Sequence, residues 1–129
     1  MLYDTSVWIE FLSGSNDQQP LLLKKNIESG IVYICPTILQ EVLQGIRRDE
    51  EFDYVRDRLL NLNFLTLDSY FVAEQAAALF RALRKKGLTV KPNDCVIAFF
   101  AIHFKVKLVH NDKDFDKLAK HTPLKVYST

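Results

Sequence analysis

The chain predicts an α/β fold, with a central, mainly parallel sheet of about five short strands flanked by helices on both faces. Three observations carry this. Short runs rich in β-branched and aromatic residues alternate with longer segments of helical periodicity. One of the helical segments, PNDCVIAFFAIHF, is apolar nearly all round and must be buried on most sides. The 129 residues are 48% hydrophobic and 26% charged, without repeats or a Gly/Ser-rich linker, which suits one domain over 1–129 with a real core.

Taken in order, Leu2-Tyr3 opens as a truncated strand, and SGSNDQQP, Ser13 to Pro20, reads as an exposed loop. Ile31 to Cys35 is a strand after Gly30. Pro36 to Ile46 is a helix with Pro in its first turn and Ile38, Leu39, Val42, Leu43 and Ile46 on one face. Glu50 to Leu62 repeats that pattern with Phe52, Val55, Leu59 and Leu62. Phe64 to Leu67 is a third strand. Ser69 to Gly87 runs as a helix from a Ser69 cap to a glycine stop. After the buried helix, Leu108 to His110 and LKVYS, Leu124 to Ser128, supply the last two strands.

Composition removes several classes. No run reaches the roughly 18 apolar residues of a membrane span, and MLYDTSVW has no basic flank before an apolar stretch, so it is no signal peptide. The expectation is a soluble cytoplasmic protein. A net charge of +1 gives no global field for nucleic acid, so polyanion binding needs a local patch or a metal ion. Cys35 and Cys95 sit among apolar residues and read as buried hydrophobes, with no ligand spacing for zinc.

The acids are the informative residues. Asp4 and Asp112 each follow a strand's carboxyl end, where ligands of a parallel sheet gather. Asp94 opens the buried helix, and Glu41 rides the edge of an apolar helix face. Taken singly, each Asp is equally well explained as a helix cap, and Glu41 as a solvated helix residue. Together, four carboxylates around one cavity would raise each other's pKa and cost stability unless a cation neutralised them. Hard oxygen ligands point to Mg²⁺ or Mn²⁺, and such ions serve phosphoryl chemistry. Asp114 and Asp116 read as solvated, Asp116 on the helical face of Lys120. An EF-hand starting at Asp112 fails, because Lys117 and Pro123 stand where it needs Gly and an acid. A dehalogenase-type phosphatase fails because only DTS follows the first strand, and a receiver domain fails because YIC holds no acid.

YDTSVWIEFL, CPTILQEVLQG, NDCVIAFFA and LVHNDKDFDKLA come in the order and spacing of a PIN domain, and the chain most resembles the small VapC-type toxins of bacterial toxin–antitoxin pairs. The resemblance spans essentially the whole chain. It implies a PIN-like fold and an Mg²⁺- or Mn²⁺-dependent endoribonuclease. Asp4, Glu41, Asp94 and Asp112 would be its catalytic and metal-binding acids, Asp114 an auxiliary acid, Ser6 a supporting hydroxyl and Phe115 a core residue. It also implies an RNA substrate, a VapB-like antitoxin that brings a basic side chain to the acids, and a homodimer. Exposed apolar groups on the 36–46 and 50–62 helices are candidate antitoxin contacts. The other readings are a PIN-like RNA- or protein-binding module without catalysis, or a housekeeping PIN nuclease of RNA processing. His110 departs from the pattern, since a small hydroxyl usually stands two before the fourth acid. It reads as a structural variant, not a general base. Arg47 and Arg48, with Arg81, Arg84, Lys85, Lys86 and Lys91, are candidate RNA contacts. For any one of them a solvated helix end is the simpler reading.

Overall fold

The computed structural model describes residues 1–127. Its elements are β1 (Leu2–Tyr3), α1 (Thr5–Leu12), α2 (Gln18–Glu28), β2 (Tyr33–Ile34), α3 (Pro36–Gln44), α4 (Asp49–Leu59), β3 (Asn63–Phe64), α5 (Ser69–Lys85), α6 (Pro92–Phe104), β4 (Leu108–Val109) and α7 (Lys113–His121). The strands form one four-stranded sheet in the order β3-β2-β1-β4, and every pairing is parallel. Among the described residues no helix is long and apolar enough to cross a membrane.

That order positions the site. The chain leaves β1, builds outward through β2 to β3, then returns to the opposite side of β1 for β4. Where the direction of winding reverses, the connections leave opposite ways and a crevice opens beyond the strands' carboxyl ends. Here the crevice lies between the ends of β1 and β4. Both strands are fully buried, as parallel strands covered on two faces must be.

The predicted fifth strand is not one. Only Val126 pairs, as an isolated parallel bridge to Leu108, and Ser128 lies outside the described residues. Leu108 donates to the Lys125 carbonyl at 3.0 Å, and Tyr127 donates to the Leu108 carbonyl at 2.8 Å. Those bonds cover the edge of β4, while β3 leaves its own edge open with Phe64 41% exposed.

Three helical expectations change. The loop read over Ser13 to Pro20 ends early, because α2 begins at Gln18. Pro20 falls in its first turn, where the missing N–H costs nothing, and its ring is buried with Leu23. α5 is capped by Asp68 and not by Ser69: the Asp68 carboxylate accepts from the Phe71 N–H at 2.9 Å. A charged acceptor one residue earlier outcompetes a hydroxyl at the positive end of the helix. α4 stops at Leu59, so Leu62 packs on the core from the turn that follows. The stop at Gly87 holds, with φ +80°: Gly87 donates to the Arg84 carbonyl and Leu88 to that of Leu83, a Schellman closure.

α6 explains its own composition. It packs along α5 and against α3 and α7, and buries Cys95, Ile97, Ala98, Phe100 and Ala101. Both cysteines are free and buried, as their neighbours predict.

Candidate active site

Three of the acids are positioned by an element boundary and Glu41 by a helix interior. Asp4 caps α1 directly after β1. Its backbone N–H donates to the Val109 carbonyl at 2.9 Å, which ties it to the end of β4. Asp112 caps α7 after His110 and Asn111 lead out of β4, its Oδ1 accepting from the Asp114 N–H at 2.9 Å. Asp94 sits in the first turn of α6 and Glu41 midway along α3. The capping role considered for Asp4 and Asp112 is therefore real, and it fixes where their carboxylates stand. Asp94 caps nothing.

Ser6 links the two loops. Its hydroxyl donates to Asp4 Oδ2 at 2.7 Å and accepts from the Asn111 N–H at 3.3 Å. Glu41 is held on both oxygens, by the Thr5 hydroxyl at 2.8 Å and the Asn93 amide at 3.4 Å. Sequence reasoning missed Thr5 and Asn93, although each adjoins an acid, in DTS and in NDC.

Asp94, Asp112 and Asp114 each offer an oxygen, and the three oxygens lie within 4.8 Å of one another. Asp114, expected as an auxiliary acid, thus stands inside the tightest group. Asp4 and Glu41 lie just outside it, close enough for their charges to act on Asp94. Asp94 is only 7% exposed, and its Oδ2 is buried without a hydrogen-bond partner.

The electrostatics follow from burial and like charge. Desolvation, then the charges of Asp4 and Asp112, push the Asp94 carboxyl up to about 7, with Glu41 adding and Lys91 opposing. Burial also raises Asp4, although the Ser6 hydroxyl and N–H and the Thr5 N–H favour its charged form. Such a set is unfavourable when ionised and empty. A divalent cation with hard oxygen ligands would relieve the repulsion and give Asp94 Oδ2 the partner it lacks. These residues fit such an ion, and nothing in the donor set fits a soft one.

The basic residues separate into groups. Lys91 is near enough to act on Asp94. Arg47 and Arg48 line a cleft of about 520 Å³ together with Ile9, Leu12, Ser13 and Glu41, so Glu41 borders both this cleft and the acids. Arg84 and Lys85 lie in the last turn of α5, Arg84 over the Phe80 ring, while Lys86 reaches the His121 carbonyl at the far end of α7. Asp116 is exposed on the α7 face of Lys120, as expected, and its carboxylate also pairs with His110 Nε2 at 3.2 Å.

A second cavity, of about 520 Å³, is lined by Trp8, Phe11, Leu12, Ile27, Tyr54, Leu59 and their neighbours, between α1, α2 and α4 and away from the acids. It is an apolar groove, with Tyr54 61% exposed at its rim.

The PIN domain family profile matches residues 1–121, and the chain belongs to that family. Within it, Ribonuclease VapC11 of Mycobacterium tuberculosis and a VapC ribonuclease of Mycobacterium bovis are each 33% identical to this chain over 132 residues, covering 99% of it and 98% of the relative. Among solved structures, VapBC2 from Rickettsia felis bound to a DNA fragment from its promoter superposes with a TM-score of 0.75 at 22% identity, over 98% of each chain. DNA-bound VapBC from Salmonella typhimurium gives 0.76 at 19% identity, over 98% of this chain and 95% of the other. Those structures establish the shared fold.

Proposed function

We propose that this chain is a metal-dependent endoribonuclease, the toxin of a VapBC-like toxin–antitoxin pair, with Mg²⁺ or Mn²⁺ as its ion. One observation carries the reading. The end-to-end relatives are VapC ribonucleases, and the crevice of this chain gathers carboxylates around the buried Asp94, whose Oδ2 has no hydrogen-bond partner. A binding module without catalysis gains nothing from such an arrangement, which costs stability.

In this reading Asp94, Asp112 and Asp114 would hold the ion, with Asp4 and Glu41 beside them as further ligands or through water. When bound, it would supply positive charge at the scissile phosphate and make a water more acidic for in-line attack. The chain's own part is preorganisation. Ser6 and the two helix caps fix Asp4 and Asp112, and Thr5 and Asn93 aim Glu41, whose free lone pairs can accept a proton from the attacking water. Lys91 beside the acids and Arg47 and Arg48 in the adjoining cleft are the basic groups best placed to hold the RNA backbone, so cleavage should weaken with salt. The antitoxin is the partner such a nuclease requires, and the groove of Trp8, Phe11 and Tyr54 is an apolar surface for it to cover.

Asp4→Asn tests the assignment, because the amide keeps the cap and removes the charge. RNA cleavage in Mg²⁺ is expected to fall by about 100-fold or more while the fold persists. Wild-type cleavage rates in that variant would refute the site. Addition of Mg²⁺ should also raise the melting temperature of the wild-type chain, and a binding module would show no such rise.

A further inference from the structure

We propose that His110 is a positioning residue: its imidazole holds the backbone of Asp112, and Asp116 holds the imidazole in the tautomer that allows this. The inference rests on Asp112 being a working acid of the site proposed above. His110 follows β4, and its side chain is 8% exposed. Nδ1 accepts from the Asp112 N–H at 3.1 Å. A ring nitrogen that accepts a hydrogen bond carries no proton, so the proton of the neutral ring sits on Nε2. Nε2 faces Asp116 Oδ1 at 3.2 Å, donor against acceptor. The Phe115 ring lies against the imidazole at 5.4 Å between centroids and restricts its swing.

The clamp is local and closes on the acids. Asp112 Oδ1 accepts from the Asp114 N–H, so the backbone that His110 holds carries two of the three most closely grouped carboxylates. The small hydroxyl that PIN-like sequences place here can accept one hydrogen bond from the loop. An imidazole does the same and also reaches into the first turn of α7, where Asp116 fixes its orientation. Partners that orient an acid in this way change metal affinity without touching the ion.

Two substitutions separate positioning from plain filling of space. In His110→Asn the side-chain oxygen takes the place of Nδ1, keeping the acceptor for Asp112 and losing Asp116. In His110→Gln the amide takes the place of Nε2, keeping Asp116 and losing the acceptor. The readouts are RNA cleavage against Mg²⁺ concentration, the Mg²⁺ midpoint for thermal stabilisation, and the amide resonance of Asp112. His110→Asn is expected to stay near wild type in all three. His110→Gln is expected to lose about 10- to 100-fold in Mg²⁺ affinity or cleavage. A side chain that only fills space predicts the reverse ranking, since Gln is nearer His in volume. In the wild-type chain, imidazole ¹⁵N shifts above the His titration range should show a bare Nδ1 and a protonated Nε2. A protonated Nδ1, or His110→Gln matching His110→Asn, would overturn the inference while leaving the nuclease reading intact. A wild-type chain that neither cleaves RNA nor gains stability from Mg²⁺ would remove both.

Discussion

Two places in the molecule bury polar side chains equally deeply and treat them in opposite ways. Under α2, Asn26, 5% exposed, donates its amide to the hydroxyl of Tyr3, which is fully buried. Burial pushes the Tyr3 phenol up to about 12, so it stays neutral and the pair asks nothing of solvent. At the sheet's carboxyl end, Asp94, 7% exposed, has an unpartnered oxygen, and burial, then its acidic neighbours, raise its pKa to about 7. Depth of burial does not distinguish them. What differs is the partner, supplied by the chain in one case and lacking within the chain in the other. A satisfied buried pair specifies packing. An unsatisfied buried charge lowers stability, and its presence in a crevice marks function.

The largest break in this contrast should come from Asp94→Asn. RNA cleavage is expected to drop by about 100- to 1,000-fold, measured in Mg²⁺ against wild type. Stability should move the other way. The folded Asp94 carboxyl titrates near 7, above its ordinary 3.8. As pH rises from 3.8 toward 7 the unfolded chain gives up this proton and the folded chain keeps it, so stability is lost across that window and the full cost stands above it. Without metal, the Asn variant should therefore be more stable than wild type above pH 7 by roughly 2–4 kcal/mol, and this difference should vanish toward acid pH. Urea unfolding in chelator at acid and alkaline pH measures it, and an unchanged pH slope would contradict the burial of Asp94.

The other side of the contrast should respond more weakly and in stability alone. Tyr3→Phe leaves the Asn26 amide buried without its acceptor, at a cost of about 1–2 kcal/mol in chemical denaturation, with cleavage per folded molecule unchanged. Combining it with Asn26→Leu should recover much of that loss, because neither polar group is then stranded. Smallest of all is Asp68, an acid that caps a helix and does nothing else the structure reveals. Asp68→Ala should cost about 1 kcal/mol and Asp68→Asn only a few tenths, both with normal cleavage. Asp112 also caps a helix, but its charge acts on Asp94, so without metal Asp112→Asn should cost less stability than Asp68→Asn, and it should differ from it in cleavage. Equal cleavage in the two would leave Asp112 a cap alone.

Much of the fold was legible because its signals are local. β-Branched runs after Gly30 and before His110, Pro36 and Pro92 opening helices, and Gly87 closing one are each decided by the conformational preferences of a few residues. The misreadings share a cause. Pro20 and its polar neighbours look like loop until Leu23 is known to be buried, and Val126 pairs at one point only, because pairing depends on what β4 offers from a distance. Ser69 and Asp68 are both favourable caps by residue type, and which one caps depends on where the chain turns by a single residue.

For the site, sequence determined which side chains were available and which strand or helix end would carry each: Asp4 after the first strand, Asp112 after the Leu108–His110 strand, Asp94 at the head of a buried helix. Helix starts and strand ends are written in short-range patterns, so that much needed no coordinates. Only the tertiary structure decided that Asp114 joins Asp94 and Asp112, that Thr5 and Asn93 aim Glu41, and that His110 turns to Asp112 and Asp116. Several of these contacts join residues that are dozens of positions apart in the chain. Those of Glu41 exist because α3 packs against α1 and α6, and long-range packing of that kind has no local signature.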